Sequence, residues 1–327
     1  MLTLPDMLRR LHARVTQRAA AATRDEELRR TGAHWGAEAG TWRVGRGLHW
    51  TEHALVQGRI NAKVSGDPTV DPYGHFVRRY LDGRLPVERS LTLGCGEGLL
   101  ERGLAQYDLS LHYEGVDVAS EALRSAEQMA PANGPSTFSY RYMDLNDARL
   151  DPERYDVIFG ANSVHHVEHL EHLFREVWTG LKPGGYFHLN EYVGPSRFQW
   201  TDRQQQVING LLIVLPERYR ISMVDRRGVK RRLTRPTVRS VKAIDPSEAA
   251  RSAEIVGLLR EYFEVVEVRE VGGTILHPLL DGIAGNFDPE REEDRSWLQW
   301  LFQTEDALLA AGEIRSDFAV MIATKAS

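Results

Sequence analysis

Short apolar runs alternate with amphipathic stretches through most of the chain. Runs at 89–94, 111–118, 138–144, 155–161 and 185–193 have the length and the bounding turn residues of buried strands. The intervening segments repeat apolar residues at helical spacing, as with Val167, Leu170, Phe174 and Val177. Strands alternating with helices predict a parallel sheet covered on both faces. Two later runs, 263–271 and 317–324, supply further strands. The first 85 residues read differently, as polar helices. Leu8, Leu11 and Val15 recur at helical spacing, Trp35, Trp42 and Trp50 follow, and a helix from about 51 to 64 stops at Gly66-Asp67-Pro68. Two segments, about 194–246 and 274–315, exceed what strand connections need, which predicts lids or binding elements at the carboxyl ends of the strands.

The first strand turns abruptly into glycines: Ser90-Leu91-Thr92-Leu93-Gly94-Cys95-Gly96-Glu97-Gly98. Glycine tolerates positive φ and lets another molecule approach the backbone. The helix expected from Leu99 to Leu104 would point its free N–H groups at that molecule. The spacing is G-x-G-x-G rather than the dinucleotide G-x-G-x-x-G, and no phosphate-gripping lysine accompanies it. Asp117 ends the second strand, where a carboxylate holds ribose hydroxyls in Rossmann-like sites. A glycine loop and a ribose-binding acid without a phosphate device suit S-adenosyl-L-methionine.

The motifs Leu93-Gly94-Cys95-Gly96-Glu97-Gly98, Gly115-Val116-Asp117-Val118 and Met143-Asp144-Leu145 follow in order. Tyr155-Asp156-Val157-Ile158-Phe159, His165-His166-Val167 and Leu181-Lys182-Pro183-Gly184-Gly185 continue the series. With this order and spacing, residues 88–195 resemble the class I S-adenosylmethionine-dependent methyltransferases. The resemblance implies an α/β fold, a Rossmann-like seven-stranded and mostly parallel sheet whose last strand is antiparallel. It further implies a methyltransferase domain over 86–327, with insertions at about 194–246 and 274–315, beneath a helical cap over 1–85. Gly94, Gly96 and Gly98 would contact the amino-acid end of the donor, with Cys95 packed beneath it. Asp117 would hold the ribose and Val118 would pack on adenine. The resemblance assigns Asp144 to the adenine amino group, Leu145 to a backbone contact and Asn162 to the methionine tail. S-adenosyl-L-homocysteine would be the product.

Methyl transfer from a sulfonium is downhill, so catalysis is mostly positioning, with a base where the acceptor is an unactivated hydroxyl. His165 and His166, just past the fourth strand, and Glu191, at the end of the fifth, are the candidates. Natural-product sugar O-methyltransferases resemble this arrangement in outline, which implies a sugar, glycoside or natural-product hydroxyl as acceptor. The run His165-His166-Val167-Glu168-His169-Leu170-Glu171-His172 invites a metal reading, but the buried stripe leaves His169 and His172 toward solvent. No metal is therefore expected. Tyr192, Phe198 and Trp200 form a candidate acceptor wall, whereas the run Gly272–Pro278 opens like a turn and carries no assigned chemistry.

Apolar content of 42%, charged content of 27% and a net charge of −5 are ordinary for a globular chain and disfavour wholesale nucleic-acid binding. The charge is uneven: ten Arg or Lys against two acids over 217–242 give +8 there and −13 elsewhere. Such a stretch steers an anionic acceptor, or RNA in an alternative reading, or is a solvated hairpin. One cysteine rules out an intramolecular disulfide framework. No run approaches a membrane span and the first residues lack a signal-peptide pattern, so a cytoplasmic protein is expected. A homodimer through the N-terminal helix, and a donor-binding scaffold without turnover, complete the alternatives.

Overall fold

The computed structural model describes residues 24, 26–37 and 49–325, so the Leu8, Leu11 and Val15 repeat and Trp42 lie outside the described residues. Its strands are β1 (Val87–Leu93), β2 (Ser110–Asp117), β3 (Thr137–Tyr142), β4 (Tyr155–Ala161), β5 (Leu181–Tyr192), β6 (Glu264–Gly272) and β7 (Phe318–Thr324). They form one sheet in the order β3-β2-β1-β4-β5-β7-β6. β7 runs antiparallel to both neighbours and the other pairings are parallel. Each expected strand is present within a few residues of its expected bounds. β7 reads Phe-Ala-Val-Met-Ile-Ala-Thr because it is covered on both faces, where alternation gives way to a continuous apolar run.

The helices are α1 (26–37), α2 (Ala54–Ser65), α3 (Pro72–Tyr80), α4 (Leu99–Leu104), α5 (Ser120–Met129) and α6 (Leu170–Gly180). They continue with α7 (Asp202–Val214), α8 (Val238–Ile244), α9 (Ile255–Tyr262), α10 (Leu276–Leu280) and α11 (Glu292–Ala310). Local chemistry sets several ends. Gly66 closes α2 in the left-handed conformation, and Asp71 caps α3 by accepting from the Gly74 N–H at 2.7 Å, ahead of Pro72. Thr201 and Gln204 form a capping box on α7.

Three apolar clusters hold the molecule together. On one sheet face, Leu170, Leu173, Phe174 and Val177 of α6 and Ile255 and Leu259 of α9 pack on Ile158, Phe187 and Met321. On the other, Phe76 and Val77 of α3 pack on Val157, Phe159 and Ile322. The third cluster sits at the carboxyl rim of the parallel strands. There α2, α7, α10 and α11 bury Val56, Ile208, Leu212, Leu276, Leu279 and Leu301 against Tyr192, Val271 and Phe318. α7 of the first insertion and α10 and α11 of the second thus share one core. No helix among the described residues is long and apolar enough to cross a membrane.

Candidate active site

The glycine loop follows β1 at the sheet's carboxyl rim. Gly94, Gly96 and Gly98 have φ of 65°, 51° and 71°, the left-handed region that side chains disfavour. A Cβ on Gly94 would strike Ser163 and one on Gly98 would strike Tyr140, whereas one on Gly96 would meet nothing within 4 Å, so the loop presents bare backbone to open space at Gly96. Asp117 braces it: one carboxylate oxygen accepts from the Gly96 N–H and the other from the Ala119 N–H, both at 2.8 Å. Burial raises the Asp117 carboxyl above its usual range despite these bonds. Its remaining lone pairs are free to accept ribose hydroxyls. Cys95 is buried and its thiol is pushed well up by burial and by Glu101 and Asp117, which disfavours the thiolate a nucleophile needs. Bare loop, braced carboxylate and missing phosphate device fit S-adenosylmethionine.

The other donor candidates line the same rim. Asn162 is exposed, has φ of 51° and gives its backbone N–H to Asn190 O. Leu145 is buried. Asp144 accepts from the Asn146 N–H and pairs with Arg24 at 2.9 Å, a partner that sequence spacing does not reveal. Val118 lies beneath α1, where a Cβ on Gly32 would stand 3.0 Å from the Val118 carbonyl oxygen. α1 therefore covers Val118.

Glu191 and His165 converge from adjacent strands, since β4 and β5 pair in register up to Ala161 and Asn190. β4 ends in a tight helical turn, Val164–His166. Glu191, fully buried, accepts from the Ser163 and Val164 N–H groups at 2.8 Å and faces His165 Nδ1 at 2.7 Å. The acceptor-only carboxylate fixes the proton of His165 on Nδ1 and leaves Nε2 as its working nitrogen. Burial disfavours the imidazolium, yet the bond and charge of Glu191, with Glu248 and Asp245, hold the His165 pKa above its ordinary value. His166 behaves oppositely: burial and the neighbouring His165 push it down to about 4. Its Nδ1 faces Ser247 Oγ at 3.0 Å and Asp245 at 3.4 Å.

Glu248 completes the cluster, its carboxylate 3.7 Å from His165 Nε2. It arrives from the turn after α8, a segment that the sequence marks only as the end of an insertion. Arg197 anchors this turn through the carbonyls of Pro246 and Glu248 at 2.6 and 2.9 Å, and the Ala250 N–H meets His165 O. Thr31 and Trp35 of α1 both bond Asp245, and Trp35 stands edge-on to His166. His165, His166 and Glu248 offer ligand atoms within 4.8 Å of one another, a potential cation donor set. By contrast, His169 and His172 are engaged by the carbonyls of Asn146 and Ala148.

Tyr192 carries the acid–base cluster toward the third core. Its ring lies 6.1 Å from that of His165 and 5.2 Å from Phe198, which stacks on Trp200. Much of the basic stretch is spent locally. Arg218 pairs with Glu293 and Arg235 with Asp202, while Lys230 caps the Pro278 and Asp281 carbonyls and a bridge joins Ile221 to Val229.

Residues 91–189 match the family described as "Methyltransferase domain". The ubiquinone biosynthesis O-methyltransferase of Marinobacter nauticus is 27% identical over 205 residues, spanning 61% of this chain and 73% of that protein. Its counterpart from Burkholderia pseudomallei is 26% identical over 206 residues, spanning 63% and 76%. An S-adenosylmethionine-dependent methyltransferase structure from Mesorhizobium loti overlays with a TM-score of 0.45 at 19% identity, covering 76% of this chain and 97% of that one.

Proposed function

We propose, for a chain that is a class I S-adenosylmethionine-dependent methyltransferase, that it methylates a hydroxyl group with His165 as base and Glu191 as its orienting partner. The observation that carries this reading is the buried 2.7 Å contact between His165 Nδ1 and Glu191, set beside the donor loop. The relatives named as O-methyltransferases agree with transfer to oxygen. A sugar, glycoside or other natural-product hydroxyl is the acceptor class proposed.

S-adenosylmethionine, when bound, supplies a methyl group on a sulfonium. Gly94, Gly96 and Gly98 would face its amino-acid end, Asn162 its methionine tail, and Asp117, Val118 and Asp144 its nucleoside. His165 Nε2 takes the acceptor's hydroxyl proton, and Glu191 stabilises the resulting imidazolium without itself being protonated. Glu248 faces that nitrogen and gives the proton an outlet. His166, held neutral by burial, braces the turn against Ser247 and Asp245. α1 and the turn 245–250 lie beside the site, joined through Thr31, Trp35 and Asp245.

The test is methyl transfer from labelled S-adenosylmethionine to methyl glycosides and catechols, for wild type, His165→Gln and Asp117→Ala. The expected outcome is loss of turnover in both, with donor affinity lost in Asp117→Ala alone. A second reading follows from the His165, His166 and Glu248 trio. Turnover abolished by a chelator and restored by a divalent cation would replace the base with a cation-held acceptor.

A further inference from the structure

The basic stretch keeps its unpaired charge beside the end of α7. The chain there lies antiparallel along the helix: the Leu233 N–H and carbonyl meet the Asn209 side chain at 2.7 and 3.1 Å, and the Arg235 N–H meets Gln205 at 2.9 Å. Two extended residues advance about as far as one helical turn, so the same register sets Arg231 beside Ile213 and Val214. Next to them the Arg220 side chain bonds the Leu215 carbonyl at 2.9 Å, and the Lys230 N–H bonds the Arg220 carbonyl at 2.7 Å. Between Arg220 and Lys230 the chain doubles back through the Ile221–Val229 bridge, and Asp225 closes the tip by accepting from the Arg227 and Gly228 N–H groups. The end of α7 and this hairpin thus adjoin.

The hairpin is tied to the body of the protein. Met223 gives its N–H to the Gly282 carbonyl, and Asn286 bonds the Tyr219 and Ile221 carbonyls. Even so, Ile213, Val224 and Val214 are 79%, 77% and 56% exposed, three of the four most exposed large apolar side chains among the described residues. Single exposed aliphatics are ordinary, whereas a group of them marks an interaction surface. Arg226, Arg227, Arg231 and Arg232 are exposed around them. Among the described residues, no carboxylate comes within 4.0 Å of Arg226, Arg227 or Arg232, and Arg231 reaches Glu217 only at 4.0 Å. The surface has no stacking platform for nucleic-acid bases, since Tyr219, the one aromatic residue of 213–233, is buried against Phe287. Aliphatic tips among arginines match a bilayer surface, where the aliphatics enter the acyl boundary and the guanidiniums meet anionic headgroups.

We propose that the end of α7 and the hairpin 221–229 dock this protein peripherally on an anionic membrane, with Ile213, Val214 and Val224 entering the interface and Arg226, Arg227 and Arg232 meeting lipid phosphates. The docking goes beyond the methyl-transfer chemistry and does not depend on which atom is methylated.

Cosedimentation of the full chain with vesicles tests it, using phosphatidylcholine alone and phosphatidylcholine mixed equally with phosphatidylglycerol. The expected result is binding to the mixed vesicles only, weakening as salt rises. Arg226→Gln combined with Arg232→Gln should weaken that binding about 25-fold, roughly fivefold for each arginine at an anionic surface. Ile213→Ser combined with Val224→Ser should weaken it about tenfold, through lost apolar burial. Both variants should melt with wild type and bind S-adenosylhomocysteine as wild type does. No binding to the mixed vesicles at low salt overturns the proposal. Loss in the arginine variant with none in the aliphatic variant also overturns it, in favour of adsorption by charge alone. Binding of a single-stranded RNA oligonucleotide in preference to the mixed vesicles, lost with the same arginines, would assign the surface to nucleic acid instead.

Discussion

Glu191 accepts two backbone N–H groups and faces His165, so shortening it and neutralising it are different experiments. Glu191→Gln keeps the volume and removes the charge. It should lower kcat roughly 10²-fold, the usual worth of acid–base assistance, with donor affinity retained. The pH profile gives the sign. His165 works as a base only when neutral, and its pKa is held above the ordinary value, so kcat/KM should rise with pH through that raised pKa. Removing the Glu191 charge lowers the His165 pKa, and the rising limb of the smaller Glu191→Gln rate should move to lower pH. A limb that stays in place would show that Glu191 does not set the titration of His165. His165 and His166 are adjacent in sequence and alike in chemistry; only the third dimension separates them. One nitrogen meets a buried carboxylate from β5, whereas the other meets a serine from a distant insertion.

At the scale of elements, α1 and the turn 245–250 lock together through Thr31, Trp35 and Asp245. Trp35→Ala should increase amide hydrogen exchange over 26–37 and 245–250 and raise KM, while exchange in β1 and β4 stays unchanged. Arg197, with φ of 55°, is held in the left-handed region by the carbonyls it binds. Arg197→Ala leaves those buried carbonyls short of a donor and should cost about 1–3 kcal/mol in denaturant unfolding. Arg218, Lys230 and Arg235 of the basic stretch are bonded to their own surroundings, and KM for an uncharged acceptor should change little between low and physiological salt. A steep fall in affinity with salt would instead mark these residues as contacts to a polyanion. The strands, the glycine loop, and the placing of the two histidines and Glu191 at one rim were legible in the sequence, because period and glycine punctuation are local signals. Glu248 and Arg24 were not, since each reaches the site across more than fifty residues of chain and neither sits in a patterned motif.

At the scale of the whole molecule, the proposed donor site joins β1, β2 and β4 to α1, so occupancy should stabilise the fold as a unit. With S-adenosylhomocysteine at a hundredfold excess over its Kd, the gain is about 2.7 kcal/mol. The melting temperature should rise accordingly in wild type and in Glu191→Gln, and stay flat in Asp117→Ala. The helical third core matters here too. Its packing on Tyr192 and Phe318 ties helices of both insertions to the sheet. The proposed function requires the buried pair of His165 and Glu191 to remove a hydroxyl proton during methyl transfer. Its most direct test is kcat for labelled methyl transfer to a hydroxyl acceptor in wild type, His165→Gln and Glu191→Gln, with donor Kd measured alongside. Turnover should collapse in both variants while donor Kd holds. Undiminished turnover, or donor binding lost in step with it, would contradict the assignment.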